Sequence, residues 1–289
     1  VKKITTKLCG RAFSKSAVSR LTKKLDEQVR AWAERPLEQT YPFVLVDAMR
    51  LKVRRQGAVR TTTVMLAVGI GADGQREILG LEAAFGETEE GWRRFLRGLK
   101  QRGLAGVELV TSDAHAGLIR AVADVVPGVI WQRCQAHFRR NVLDQTPARY
   151  KGRMHEVLDE VLTAPSQSTA QARFEAAYAE LKPRATRALE KALSVLEDGL
   201  MDATAVLALP DKYRRRLRTT NMVERFIEEI RRREKVIRIF PNIEAAHRLV
   251  GALCAETHEE WSTGKRYLNM DAYFEWSAAQ QNATQQTAA

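Results

Sequence analysis

Two aspartates that follow short apolar segments give the strongest chemical signal in the sequence. Asp47 comes directly after residues 43–46, and Asp113 follows the apolar residues 107–111. Short apolar segments rich in β-branched residues are typical of buried strands. A carboxylate at the end of such a strand is costly to bury unless a positive group lies beside it. The pair therefore indicates a shared divalent cation and metal-assisted phosphoryl chemistry. The alternative is helix capping, in which Asp113 would cap a helix beginning near His115.

A third carboxylate lies far along the chain, at the start of a helix that the pattern predicts over residues 221–236. Glu224 and Glu228 are four residues apart and so share a face of that helix. Apolar residues at helical spacing would dock the helix on a sheet. Exposed cations close to this face could hold a phosphodiester: Arg225, Arg231, Arg232 and Lys235. The competing interpretation is a surface helix with ordinary Glu–Arg pairs.

Positive charge is concentrated in two parts of the chain. The 289 residues carry a net charge of +12. Residues 1–35 have a net charge of +7 and residues 211–240 a net charge of +6, so the remainder is close to neutral. Such localised charge favours a polyanion, usually nucleic acid, over a basic face that is merely solvated. In the first segment, the cations on the polar face of a predicted helix are candidate DNA contacts: Lys15, Arg20 and Lys23.

Composition excludes several other classes of protein. Apolar residues make up 45% of the chain, which supports a substantial core. No segment approaches the roughly 18 uninterrupted apolar residues of a membrane span, and the first residues do not resemble a signal peptide. There are three cysteines and they lie far apart in the sequence, which fits a reducing cytoplasm and not a disulfide framework. Because the chain begins with Val, we expect that sequence precedes it, including part of a DNA-binding region.

The elements that must position these groups alternate in type. Residues 1–35 resemble a helix-turn-helix, with a glycine turn and an N-cap at Ser14 before a basic amphipathic helix. Strands are predicted near 43–54, 59–71, 76–84, 107–111 and 129–133, and helices near 88–102, 115–125 and from 135 onwards. This order predicts an α/β fold with a mixed sheet and helices on both faces, in the order of a ribonuclease H topology.

The second half of the chain changes in composition. Residues 146–210 are rich in Ala, Leu and Glu and predict an all-helical insertion. The basic helix over 221–236 and a helix from 242 to about 261 follow. We therefore expect a helical DNA-binding segment at 1–35, a core built from 41–145 and 211–268, and a disordered tail at 277–289.

Cys134 and His137 have a spacing found in zinc sites, and Cys254 with His258 could supply two further ligands. Zinc sites normally use tighter pairs on turns, whereas these residues fall on predicted helices. We therefore favour a core position for Cys134 and an approach of His137 to the active site or to DNA.

Several motifs in a fixed order resemble the mutator family of bacterial transposases. They are YPFVLVDA (41–48), LKVR (51–54), LGL (79–81), SDAHAGL (112–118), WQRCQAHF (131–138), TNMVER (220–225) and IFPN (239–242). The resemblance extends from about residue 8 to Leu268. One departure is Met222, since the family usually has proline at this position.

The resemblance implies a ribonuclease H-like core with an Asp-Asp-Glu triad formed by Asp47, Asp113 and Glu224. It further implies two Mg²⁺ ions, for which Mn²⁺ can substitute, held by the same three carboxylates. The expected activity is cleavage at transposon ends and transfer of the 3′-hydroxyl into target DNA by a homodimer in the bacterial cytoplasm, associated with the nucleoid. Two alternatives remain open, a ribonuclease H or resolvase-type nuclease without strand transfer and a non-catalytic DNA-binding regulator.

Overall fold

The computed structural model describes residues 13–288, which are organised around a mixed five-stranded sheet. The strands are β1 (Phe43–Arg55), β2 (Ala58–Ile70), β3 (Arg76–Ala84), β4 (Leu109–Ser112) and β5 (Ile130–Arg133). Their order in the sheet is β3-β2-β1-β4-β5. Strands β1, β2 and β3 pair antiparallel, whereas β4 is parallel to β1 and β5 is parallel to β4. The prediction of an α/β fold with a mixed sheet is confirmed.

The antiparallel part of the sheet follows from its turns. Arg55 pairs with Ala58, which leaves a two-residue turn with positive φ at Gln56 (48°) and Gly57 (77°). Positive φ at both positions matches the twist of the flanking strands, and glycine adopts it without steric cost. The long β1–β2 hairpin that results carries Asp47 in the middle of β1.

Helices flank the sheet and fill the second half of the chain. They are α1 (Lys15–Glu34), α2 (Glu89–Gln101), α3 (Ala116–Val125), α4 (Gln135–Gln145), α5 (Lys151–Leu162), α6 (Gln167–Leu181), α7 (Arg187–Thr204), α8 (Asp211–Leu217), α9 (Asn221–Ile237), α10 (Ile243–Thr263) and α11 (Asp271–Ala288). The predicted strand and helix positions agree with these bounds to within a few residues. Within residues 13–288, no helix combines the length and apolar composition that crossing a bilayer requires.

The two faces of the sheet are buried by different helices because successive side chains of a strand point in opposite directions. On β1, Leu45 belongs to the core that includes residues of α8, α9 and α10. Its neighbour Val46 belongs to the core formed with α2 and α3. The expectation of helices on both faces is therefore confirmed.

A third hydrophobic cluster is formed by residues between Phe138 and Leu207, nearly all of them helical. Helix α7 brings this cluster against the sheet, since a Cβ at Gly199 would lie 2.5 Å from the Phe138 ring and would also collide with Arg133. Residues 146–210 are all-helical, as their composition predicts. The division of the chain into domains stays a prediction.

The N-terminal segment is only partly as expected. Ser14 caps α1 and accepts a hydrogen bond from the Ala17 N–H, as predicted. Helix α1 packs on α10 through Val29, yet Leu21 is 56% exposed, so the apolar stripe of this helix is buried at one end only. The first helix of the predicted helix-turn-helix lies outside the described residues.

The sequence predicts a disordered tail over 277–289, and this stays a prediction. Helix α11 continues to Ala288. Its first turn is anchored by Tyr273, which is buried against Phe43 and Tyr213. The Ala and Gln residues that follow are good helix formers, so an anchored helix can propagate through a polar sequence.

Candidate active site at the sheet edge

The two aspartates lie side by side at one edge of the sheet. The parallel register of β1 and β4 pairs Leu45 with Thr111. Two residues further along, each chain reaches its aspartate, so Asp47 and Asp113 are neighbours. Strand β5 ends beside them, because Ser112 pairs with Arg133 and the Cys134 N–H donates to the Ser112 carbonyl at 2.7 Å.

Asp47 is partly buried among charged groups. Burial raises the pKa of Asp47 to about 7, and the negative charges of Asp113 and Glu224 act in the same direction. A hydrogen bond from the Ala48 N–H to Oδ1 (2.8 Å) and the charge of His137 oppose this shift. The structure thus brings the three predicted acids and His137 into one cluster. A site that raises the pKa of a carboxyl group favours a bound cation as the charge partner.

Glu224 reaches the cluster because the chain before α9 is fixed to the ends of β4 and β5. The Thr111 hydroxyl donates to the Leu217 carbonyl at 2.7 Å, and the Gln135 N–H donates to the Arg218 carbonyl at 2.9 Å. The apolar face of α9 then packs into the core beneath the sheet. Glu224 therefore lies in the first turn of a docked helix, where its position is set by packing.

Thr220 and His137 hold the Glu224 carboxylate. The Thr220 hydroxyl lies 3.4 Å from both Glu224 Oε1 and the buried Cys134 Sγ. His137 Nε2 lies 3.5 Å from Glu224 Oε1. The interaction with Cys134 raises the pKa of His137 to about 9, with further contributions from Glu224 and Asp47. A protonated His137 thus offsets part of the negative charge of the cluster.

The four-residue zinc site considered above does not form. In the described part of the chain, Cys134 and His137 group with Glu224, their ligand atoms all lying within 4.8 Å of one another. Cys254 is buried in α10, and His258 of the same helix lies beside Arg35 (Nδ1 to Nη2, 3.2 Å). As predicted, Cys134 is a core residue and His137 faces the acid cluster.

Capping does not account for Asp113. The N-cap of α3 is His115, whose Nδ1 accepts from the Leu118 N–H at 3.3 Å. The helix therefore begins beside His115, and His115 rather than Asp113 caps it. Asp113 instead accepts from the His115 N–H at 3.3 Å and contributes its charge to the cluster around Asp47.

The predicted DNA contacts fall into two groups, and neither lies within the acid cluster. On α9 the side chains of Arg225, Arg231, Arg232 and Lys235 are all exposed. Arg232 pairs with Glu229. On α1 the side chains of Lys15, Arg20 and Lys23 are exposed as well. Glu228, the alternative third acid, is exposed and is not among the charges that act on Asp47.

Sequence reasoning missed an arginine-lined cavity on the other side of α9. Arg225 lines it together with Arg76, Arg215, Arg216 and Arg218, and its volume is about 680 Å³. Four of these five arginines fall within the basic segment 211–240, which was the available signal. Arg76 comes from β3, and only the tertiary fold brings it there.

Comparison with known proteins shows the family of this chain. A family model described as "Transposase, Mutator family" matches residues 1–264. The chain is 44% identical over 271 residues to the transposase for insertion sequence element ISRM5 of Rhizobium meliloti, covering 94% of this chain and 67% of that protein. It is 40% identical over 279 residues to the transposase for IS256 in transposon Tn4001 of Staphylococcus aureus, covering 94% and 69%. It is 42% identical over 262 residues to the transposase for IS406 of Burkholderia multivorans, covering 90% and 66%.

The fold and site define an α/β protein in which acids from three distant segments meet at a sheet edge beside a basic helix. The family match extends over the whole of this arrangement. The chain belongs to the Mutator family of transposases.

Proposed function

We propose that the protein is a DNA transposase with a ribonuclease H-like catalytic core. The observation that carries the proposal is the convergence of Asp47, Asp113 and Glu224, which are 66 and 111 residues apart in sequence. The strand order supports the fold assignment, since three antiparallel strands are followed by two parallel strands on one side of β1. Membership of the family supports the assignment of transposition.

The donor set suits Mg²⁺. Hard divalent cations prefer carboxylate oxygens, and the cluster offers three carboxylates against the single cation, His137, that acts on Asp47. Asp47, Asp113 and Glu224 would together hold two Mg²⁺ ions, for which Mn²⁺ would substitute. When bound, such a pair stabilises both the attacking and the leaving oxygen of a phosphoryl transfer.

The chain's own residues then have separate tasks. Thr220 and His137 orient the carboxylate of Glu224, and the exposed cations of α9 hold the DNA backbone. In the cleavage step, the oxygen of water bonds to phosphorus as the bond to the 3′-oxygen breaks, which frees a 3′-hydroxyl. In the joining step, that 3′-oxygen bonds to a target phosphorus as a target phosphodiester bond breaks. Symmetric joining of two ends is best served by a homodimer.

A joining assay tests the proposal. The protein is incubated with Mg²⁺, a labelled duplex carrying an element end, and a supercoiled plasmid, and joined product is measured. We expect joining in Mg²⁺ or Mn²⁺ and none in EDTA. Asp47→Asn should abolish both cleavage and joining while retaining DNA binding. The matched control, Asp73→Asn, changes an exposed aspartate of a hairpin turn and should leave both reactions unchanged.

The two other candidate functions give different results in the same assay. A nuclease without strand transfer would release cleaved duplex and no joined product. A non-catalytic regulator would bind the duplex without nicking it in either metal. Full joining activity in Asp47→Asn would show that the acid cluster is not the catalytic centre.

A further inference from the structure

The cavity beside α9 gathers positive charge from two distant parts of the chain. Arg76 enters it from β3, and the other four arginines come from α8, the segment after it and α9. Its wall also contains the aromatic side chains of Trp261 and Tyr267. The segment 218–225 forms part of this wall and also carries Thr220 and Glu224, so the cavity adjoins the acid cluster.

Carboxylates balance little of this charge directly, and Glu260 acts on Arg76 only through its charge, which raises the pKa of Arg76. In the part of the chain that the structure describes, none of the arginines at 76, 215, 216, 218 and 225 forms a salt bridge. The one acid in the wall, Glu229, is engaged by Arg232 and Arg233. Burial lowers the pKa of Arg76, and the neighbouring charge of Arg216 lowers it further. Guanidinium groups that are held together without salt-bridge partners favour the binding of an anion.

The aromatic rings hold two of the arginines in place. The Arg76 guanidinium lies 4.4 Å from the centre of the Trp261 ring and 4.9 Å from that of Tyr267. Arg216 lies 4.6 Å from the same Tyr267 ring. Arg76 Nε is buried and has no hydrogen-bond partner. Stacking fixes the planes of the guanidinium groups while leaving N–H donors free for a ligand.

We propose that this cavity binds backbone phosphates of the DNA strand that enters the acid cluster. The inference rests on the proposed function for the identity of the DNA, and it assigns four further residues to the interface: Arg76, Arg215, Arg216 and Arg218. Planar guanidinium groups match the paired oxygens of a phosphodiester, and a site that reads phosphates holds the strand without selecting its sequence. Tyr267 acts as a positioning residue for two of these arginines.

The salt dependence of DNA binding tests the site directly. Binding of a fluorescein-labelled duplex of random sequence is measured by anisotropy in EDTA over a range of salt concentrations. Each phosphate contact contributes about 0.9 to the slope of log K against log salt. Arg216→Gln with Arg225→Gln should therefore lower the slope by about 2 and weaken binding at low salt by about tenfold per arginine.

The matched control removes the same charge elsewhere. Arg187→Gln with Lys191→Gln takes two exposed cations from α7, on the helical insertion. This variant should keep the wild-type slope and bind within about twofold. Equal losses in the two double variants would mean that the cavity acts only as general surface charge, which would overturn the proposal.

Two further arms examine the positioning role and the ligand. Tyr267→Phe keeps the ring and should bind like the wild type, whereas Tyr267→Leu should weaken binding severalfold and lower the slope, with thermal unfolding used to verify that it is folded. If Tyr267→Leu binds normally, the ring does not position the arginines. Inorganic phosphate at constant ionic strength should not displace the duplex. Displacement would assign the cavity to a free anion and contradict the proposal.

The binding experiment contains no divalent metal, so it is independent of the chemistry. If joining is never observed but the slope falls as expected, the proposed catalytic function fails and the phosphate site stands. If joining occurs and the arginine variants keep the wild-type slope, the proposed catalytic function stands and the phosphate site is wrong.

Discussion

Helix α9 separates two regions of opposite charge. On one side, Glu224 lies in a cluster with Asp47 and Asp113. His137 is the cation that acts on Asp47 there. On the other side Arg225 belongs to a cavity lined by five arginines. Adjacent residues of a helix point about 100° apart, so the neighbours Glu224 and Arg225 can serve sites of opposite sign.

Neither the acid cluster nor the arginine cavity has its charge balanced by the described residues around it. Packing holds like charges together on each side of α9, and in both cases a bound ligand has to supply the opposite charge. Clustered carboxylates favour the binding of cations, whereas clustered guanidinium groups favour the binding of anions. A DNA strand with its metal ions supplies both, so the two regions fit successive parts of one ligand.

The largest effect on activity is expected from removing a charge from the acid cluster. Glu224→Gln keeps the shape of the side chain but removes its charge, and cleavage and joining should fall to background while DNA binding is retained. The control, Glu228→Gln, changes an exposed acid one turn further along the same helix and should keep activity within a few fold. Initial rates of joined product in Mg²⁺ measure both. The reverse pattern would assign the third ligand to Glu228.

The next effect comes from loosening the helix that separates the two regions. Ile230 is fully buried in the core beneath the sheet, so Ile230→Ala should lower the free energy of unfolding by roughly 2–5 kcal/mol. Val236 lies on the same helix and is 86% exposed, so Val236→Ala should change it by less than about 0.5 kcal/mol. Urea denaturation measures both variants. Similar values would mean that α9 is not anchored through Ile230.

The smallest effect concerns the stability cost of the acidic cluster without metal. Burial raises the pKa of Asp47 from 3.8 to about 7, so the stability associated with its protonated form is complete below pH 3.8 and is lost as the pH rises through 7. In EDTA at pH 8, Asp47→Asn should therefore be more stable than the wild type by on the order of 2 kcal/mol.

Two changes of condition should close that gap. Lowering the pH towards 4 protonates Asp47 in the wild type, and adding Mg²⁺ at pH 8 stabilises its ionised form by binding the native state. Thermal unfolding over a pH series, with and without Mg²⁺, gives the comparison. A wild type that equals or exceeds the variant at pH 8 in EDTA would mean that the acids are not strained by their neighbours.

Much of the fold could be predicted because its strands and helices are encoded locally. The strands of the sheet have short β-branched segments, and the helix starts at Ser14 and Asn242 have side chains that cap them. The acids lie in motifs that resemble those of the mutator family, and it is this resemblance that implies their convergence.

The features that sequence reasoning missed depend on contacts between distant segments. The arginine cavity needs β3, α8, α9 and the loop at Tyr267 to meet, and no local pattern records such a meeting. Likewise, the polar composition of 277–289 does not indicate a helix, because the contact that anchors α11 is made by Tyr273 in its first turn. The exposure of Leu21 shows the converse case, in which a regular apolar stripe is only partly covered by the described residues.

The hydrogen bond between Gln135 and Arg218 has a consequence for how this protein can change. The segment from α4 to α8 begins and ends beside this hydrogen bond, where the two backbones are 2.9 Å apart, and in between it packs on β5 through Gly199. The intervening segment is thus a closed loop whose ends are fixed, and doubling the length of a loop costs only about 0.6 kcal/mol in closure entropy. Loop-closure entropy therefore places little limit on the length of this segment.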